Sequence, residues 1–122
     1  ERFVWAGFQR DIPQMMDAVD VLVHPCPVEG FGRVAIEAMA SAKPVVGPSA
    51  GGIAESVCHG ETGYLFRPDD LGSLVESVDR LLASATLRRE FGSRGRAVAT
   101  ERFSLSTHCT ALAAVYREVL ER

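Results

Sequence analysis

The sequence predicts an α/β fold: a Rossmann-like parallel sheet with flanking helices, followed by a helical C-terminal tail. Short β-forming runs alternate with helical periodicities over residues 1–67, and only helical patterns occur over residues 68–122. The order strand, helix, strand, helix, strand is typical of parallel sheets, whose crossovers are right-handed in nearly all proteins. Because no repeat or flexible linker interrupts the 122 residues, we expect one unit in which the tail packs on the sheet.

The first two predicted strands flank a short helix. Bulky β-forming residues predict a strand at Phe3–Ala6. Asp11 is placed to cap the helix and Pro13 suits its first turn. The inward stripe of this helix is Ile12, Met15, Met16 and Val19. The apolar run within Asp20–His24 is typical of a strand covered on both faces, and Pro25 ends it.

The next segment continues the alternation. A helix is predicted at Gly32–Ser41 and a third strand at Pro44–Gly47. A short helix follows at Ile53–Val57, and Gly60 and Gly63 flank a turn before Tyr64–Phe66.

Three helices make up the predicted tail. The first begins after the cap candidates Asp69 and Asp70. Its apolar stripe consists of Leu71, Leu74, Val75, Val78, Leu81 and Leu82. A more polar helix is predicted at Ala85–Ala99, and a last helix at Leu105–Leu120 carries apolar residues along one side.

The composition argues against nucleic acid as a partner, because the formal net charge is −3 and a phosphate-binding surface is normally basic. Three widely spaced cysteines form neither a CxxC unit nor an even disulfide framework, which favours a reducing compartment. No apolar run is long enough to cross a bilayer. We expect a cytoplasmic protein, with a peripheral position at the inner membrane face as the alternative for the full-length form.

The loop after the second strand is the strongest candidate binding site. In a parallel sheet, ligands bind where the carboxyl ends of the strands lead into loops and helix starts. The N–H groups at a helix start favour anions, and Gly30 and Gly32 leave the backbone accessible beside Phe31. Arg33, in the first turn of the helix, is a candidate phosphate contact. We therefore expect this loop to bind phosphate.

Two carboxylates near the loop need another explanation, because a carboxylate repels phosphate. An ionised glutamate accepts hydrogen bonds, and its two oxygens suit the two hydroxyls of a vicinal diol. Glu29 precedes the predicted helix, and Glu37 lies about 7 Å along it at 1.5 Å per residue. The two acids could hold opposite ends of a nucleotide-sugar, with the diphosphate over the glycines between them.

Two other interpretations of this loop remain open. Glu29 could favour the helix dipole while Glu37 is solvated, with no ligand involved. Gly30, Gly32 and Ala35 also match the glycine pattern of dinucleotide-binding folds. That pattern further requires an acid at the end of the next strand, and the sequence there is Val46–Ala50 without one.

An ordered set of motifs resembles the carboxy-terminal, donor-binding domain of a retaining glycosyltransferase of the GT-B fold, the group 1 or family 4 type with an E-x7-E motif. The motifs are Glu29-Gly30-Phe31-Gly32 running to Glu37-Ala38-Met39-Ala40, Lys43-Pro44-Val45-Val46, Gly51-Gly52-Ile53-Ala54-Glu55, and Gly60-Glu61-Thr62-Gly63-Tyr64-Leu65. The resemblance spans almost the whole chain. It departs from the family at Ala42, where a glycine usually ends the helix.

The resemblance implies roles for the loop residues. Glu29 would bind hydroxyls of a transferred hexose-type sugar, the amides of Phe31 and Gly32 would face the sugar and diphosphate, and Glu37 would bind the ribose. Gly51 and Gly52 would be mainly structural. The nucleotide-diphosphate-sugar would be a substrate, and neither a cofactor nor a metal is expected.

The resemblance also implies a missing part. The family's acceptor domain and diphosphate-neutralising cations lie upstream, so we expect an inactive partial domain with a sheet edge free for self-association. A GT-B-like nucleotide-sugar epimerase and a non-enzymatic binding module are the alternatives. His24, beside the loop, is left open between a packed residue and a ligand contact.

Overall fold

A computed structural model describes residues 3–121 and has an α/β architecture, which confirms the predicted fold class. Within that range, three parallel strands form one sheet in the order β1–β2–β3. The strands are β1 Leu22–Val23, β2 Val45–Pro48 and β3 Gly63–Phe66. The helices are α1 Ile12–Asp17, α2 Arg33–Ala40, α3 Gly51–Ser56, α4 Leu71–Ala83, α5 Ala85–Phe103 and α6 Leu105–Leu120.

The middle strand, β2, carries the core. Val45 pairs with Leu22 on one side and with Gly63 on the other, and all four β2 residues are buried. Successive side chains of a strand point to opposite faces, and Val45 and Val46 accordingly lie in two separate apolar clusters. The sheet is therefore covered on both faces at β2. The same coverage predicted for the run in Asp20–His24 is wrong, because β1 is an edge strand whose Val23 is 40% exposed.

One apolar cluster joins the sheet to α1, α2, α3 and α5. It consists of Met16, Ala35, Ala38, Met39, Val45, Ile53, Val57 and Ala99. The other joins β2 and β3 to α4 and α5, through Val46, Phe66, Leu81 and Phe91. Helix α2, which follows the candidate loop, is therefore anchored by its buried face.

The predicted strand at Phe3–Ala6 is wrong. Residues 3–9 have no regular secondary structure, and the side chains are exposed, with Trp5 at 84%. A strand requires a neighbour that accepts and donates its backbone hydrogen bonds, and none of the strands in residues 3–121 pairs with this segment. The apolar composition that predicted the strand does not supply that partner.

The predicted tail divides into two parts. Helices α4 and α5 contact the sheet, whereas α6 packs against α5 and buries none of its residues. On α4, the residues Leu74, Val78 and Leu81 face the apolar cluster, while the other half of the predicted stripe is exposed. A stripe of that width covers more of the helix surface than one face of the sheet can bury. The expected packing on the sheet therefore does not extend to α6.

Candidate functional site

The loop between β1 and α2 is held against the start of α3 by backbone contacts. Gly52 N donates to the Glu29 carbonyl oxygen at 3.1 Å. A Cβ on Gly51 would overlap that same carbonyl, and a Cβ on Gly52 would overlap the Phe31 backbone. The two glycines therefore permit a close approach of loop and helix that no larger residue allows, in agreement with a structural role.

Gly32 begins α2 in a conformation that favours glycine. Its φ is +75°, in the left-handed region, and a Cβ there would overlap the side chain of Ile53. Gly32 N donates to Oε1 of Glu29 at 3.3 Å, and Gly32, as the N-cap residue, has no side chain that could cap the amides of the first turn of α2. Helix-start amides without a side-chain cap are the feature that attracts anions to a helix N-terminus.

The carboxylate of Glu29 is half-buried between the amide of Gly32 and the imidazole of His24. Its Oε1 accepts from Gly32 N, and its Oε2 lies 3.5 Å from Nε2 of His24. Gly30, the next residue, has open space where a Cβ would stand. The structure thus places Glu29 beside the helix start, with the neighbouring backbone accessible.

Glu37 lies one turn after Arg33 on α2, and its Oε1 is 3.6 Å from Nη2 of Arg33. The Arg33 side chain is 83% exposed, so this pair is weak by itself. Both side chains line a cavity of about 730 Å³ between the start of α2 and the junction of α5 and α6. Glu37 is therefore accessible to a ligand in that cavity.

The far wall of this cavity comes from a part of the chain that the motif did not include. Phe103 makes an edge contact with Phe31, their ring centroids 6.2 Å apart, and Arg102 and His108 also line the cavity. No local signal in the sequence marks these residues as members of a site, because they reach it only through the packing of α5 against α2.

The structure brings Phe31, Arg33 and Glu37 to one cavity, and it places Glu29 against His24 and Gly32 instead. Glu29 does not line the large cavity. The two acids therefore lie on either side of the start of α2, and only Glu37 lines the large cavity. That one elongated ligand spans both of them remains a prediction.

Two further properties concern residues 3–121 alone. No group of three or more His, Cys, Asp and Glu side chains in that range is arranged to hold a metal ion. None of the helices there has the length and apolar character required to span a membrane.

Comparison with known proteins places this chain in a family. The family described as "Glycosyl transferases group 1" matches residues 1–98. N-acetyl-alpha-D-glucosaminyl L-malate synthase of Bacillus anthracis is 31% identical over 120 residues, which cover 98% of this chain and 32% of that protein.

Solved structures show the same fold. Anabaena HepE in complex with UDP matches with a TM-score of 0.87 at 35% identity, over 93% of this chain and 31% of that chain. HepE in complex with UDP-glucose matches with a TM-score of 0.83 at 36% identity, over 92% of this chain and 31% of that chain. The chain spans about a third of the length of these relatives. By its sequence match and its fold, the chain belongs to the group 1 glycosyl transferases.

Proposed function

We propose that the chain supplies the donor site of a retaining glycosyltransferase, which transfers a hexose-type sugar from a nucleotide diphosphate to an acceptor. The observation that carries this proposal is the start of α2, where the N-cap residue Gly32 offers no capping side chain and which lies between Glu29 and Glu37. The likeness to HepE in complex with UDP-glucose supports a nucleotide-sugar as the ligand.

Each part of the site has a separate task in this proposal. The amides of Phe31 and Gly32 and the positive end of the α2 dipole face the sugar and diphosphate, and Gly32 N shares its proton between the ligand and Oε1 of Glu29, 3.3 Å away. Glu29 accepts hydrogen bonds from hydroxyls of the transferred sugar, and Glu37 accepts them from the ribose. Because Arg33 is mostly exposed, it is free to move from Glu37 to a phosphate, which leaves both oxygens of Glu37 available to the ribose.

The remainder of the reaction is proposed for the whole protein. Departure of a nucleoside diphosphate requires cations near the developing charge, and among residues 3–121 the arginine in the first turn of α2 is Arg33. The acceptor site belongs to an N-terminal domain, and the other cations belong to an upstream part of the same donor-binding domain, so this chain by itself should not catalyse transfer. NMR of the product anomer tests retention, and activity in EDTA tests the absence of a metal requirement.

Two further expectations complete the proposal, one for the whole protein and one for this chain alone. It acts in the cytoplasm, or at the inner membrane face, which fractionation of cells tests. The outer edge of β1 has no partner strand in residues 3–121, so this chain alone should self-associate there. Sedimentation velocity at increasing concentration checks that expectation.

The test of the ribose role is Glu37→Ala in the intact protein. Loss of a charged hydrogen bond costs about 1.5–3 kcal/mol, so nucleotide affinity should fall roughly 10- to 150-fold in calorimetry with UDP-, GDP- and ADP-sugars. The matched control is Glu76→Ala, because Glu76 is also helical and exposed, and lies 3.5 Å from an arginine one turn later.

The control should bind as the wild type does. Equal affinity of Glu37→Ala and wild type would reject the ribose role. If none of the three nucleotide-sugars perturbs the NMR signals of residues 29–37, the chain is not a donor site and the binding-module alternative gains support.

A further inference from the structure

His24 has an imidazole nitrogen without a hydrogen-bond partner in an otherwise well-paired region. Its side chain is 19% exposed. Nε2 is buried and has no hydrogen-bond partner within residues 3–121. A buried polar atom that is left unpaired is costly and calls for an explanation.

The carboxylate of Glu29 is the acceptor that this nitrogen faces. Oε2 of Glu29 lies 3.5 Å from Nε2 of His24, while Oε1 of Glu29 already accepts from Gly32 N. An N–H···O hydrogen bond is normally 2.7–3.2 Å long, so a movement of a few tenths of an ångström would close it. Such hydrogen bonds are often long without ligand and shorten when the ligand binds.

Backbone hydrogen bonds hold the main chains of His24 and Glu29 in place. His24 N donates to the Val46 carbonyl at 2.8 Å, which ties the residue to β2. The Glu29 carbonyl accepts from Gly52 N at 3.1 Å, which ties it to α3. The main chains of both residues are therefore held by the core of the fold, and the side-chain rotamers decide whether the imidazole and the carboxylate meet.

We propose that His24 is a positioning residue for Glu29: its Nε2–H donates to Oε2 and fixes the rotamer in which the carboxylate meets the hydroxyls of the donor sugar. The inference rests on the proposed sugar-binding role of Glu29. A carboxylate bracketed by an amide on one oxygen and an imidazole on the other has its remaining lone pairs aimed in defined directions. Preorganised orientation of this kind is what transfer requires.

The first test is independent of any ligand. Long-range ¹H–¹⁵N NMR of the intact protein should show the proton of neutral His24 on Nε2, and Glu29→Gln should shift that nitrogen. A proton on Nδ1, or an Nε2 signal that does not respond to Glu29→Gln, would overturn the proposed hydrogen bond even if nucleotide-sugars bind.

The second test compares two substitutions. His24→Leu removes the donor, and His24→Gln keeps an N–H at a similar reach. With UDP-glucose as the probe, kcat/KM should fall about 10-fold for His24→Leu, the lower end for a charged hydrogen bond, and recover largely in His24→Gln. Affinity for UDP alone should stay unchanged in both, since Glu29 acts on the sugar.

The double variant separates positioning from packing. In a Glu29→Gln background, His24→Leu should add almost nothing, because the partner is already altered. Equal losses for Leu and Gln, or a full additive loss in the Glu29→Gln background, would contradict the proposal. If UDP-glucose, GDP-mannose and ADP-glucose all fail to bind the wild type, the proposed function fails, while the NMR result still decides the His24–Glu29 contact.

Discussion

At the scale of single residues, the site depends on left-handed backbone conformations at two positions. Gly32 occupies a left-handed conformation beside Ile53, where any Cβ would collide. Ala42, which ends the turn after α2, has a φ of +55°. An L-residue in that region is strained, and a glycine is not. The departure from the family at Ala42 therefore has a structural cost.

The strain at Ala42 predicts a stabilising substitution. Left-handed strain of about 1–2 kcal/mol, less the extra unfolded-state entropy of glycine of about 0.5–1 kcal/mol, leaves a net gain of about 0–1.5 kcal/mol for Ala42→Gly. Urea unfolding measures the gain. Ala40→Gly is the control, since Ala40 is an exposed helical residue and should lose stability by about 1 kcal/mol. A loss for Ala42→Gly would contradict the strain.

At the scale of elements, the β1–α2 loop and the start of α3 form one packed unit. Gly51 and Gly52 allow the α3 backbone to touch the carbonyl of Glu29 and the backbone of Phe31. The shape of the loop thus depends on a helix that begins about 20 residues after it. The glycine pair and the acidic loop are therefore two parts of one structural unit.

Gly52→Ala should disturb this unit. The new Cβ would overlap main-chain atoms of Phe31 that have no alternative rotamer, so we expect a loss of about 1–3 kcal/mol in unfolding free energy. The Gly32 amide signal should shift in NMR spectra, because the loop must move. Gly30→Ala is the control, since nothing lies within 4 Å of its Cβ position. Equal stability of Gly52→Ala and wild type would show that the approach is looser than described.

The N-terminal cap of helix α4 depends on pH, because the capping side chain is a carboxylate. Asp70 caps it by accepting from Ser73 N at 3.0 Å, and it also accepts from Arg67 at 3.2 Å. The hydrogen bond from the Ser73 amide is the largest cause that holds the pKa of Asp70 below its ordinary value of 3.8, and the hydrogen bond from Arg67 is the next largest. Because the folded pKa is lower than the unfolded one, the stabilisation is present above the unfolded pKa and is lost as pH falls through the folded pKa.

Asp70→Asn should remove this acid dependence while keeping a neutral cap. Urea unfolding, measured from neutral pH down past the folded pKa, should show a shallower decline for the variant than for wild type. Asp69→Asn is the control, because Asp69 is an exposed neighbour that does not cap α4. An identical decline in wild type and Asp70→Asn would show that this cap does not contribute to the acid sensitivity.

At the scale of the whole molecule, burial is unevenly divided. The two apolar clusters draw on α1 to α5 and the sheet, and α6 contributes no buried residue to either. The apolar residues of α6, including Tyr116 and Val119, are largely exposed. Stability should therefore come from the sheet and its covering helices, and α6 should add little in this chain.

Unfolding measurements test that division. Leu81→Ala removes a side chain with 0% exposure and should cost about 2–5 kcal/mol. The double variant Tyr116→Gln and Val119→Gln changes exposed residues of α6 and should stay within about 1 kcal/mol of wild type. A cost for the α6 variant equal to that of Leu81→Ala would show that α6 is part of the folded core.

Local signals in the sequence determined the helix starts at Asp11 and Asp70, the alternation that predicts a parallel sheet, and the glycine-rich loop with its two acids. Each depends on hydrogen bonds or periodicity within a few residues, so the chain encodes it without reference to distant segments. The family resemblance added an order to these motifs and an expected role for each acid.

Tertiary structure alone decided which apolar runs are buried. It left Phe3–Ala6 without a strand partner and the apolar side of α6 exposed, and it brought Phe103 to the cavity that Glu37 lines. It also placed His24 against Glu29. Burial and contact depend on which distant segments meet. Composition alone shows only that an apolar segment lowers the free energy of the chain when another segment covers it.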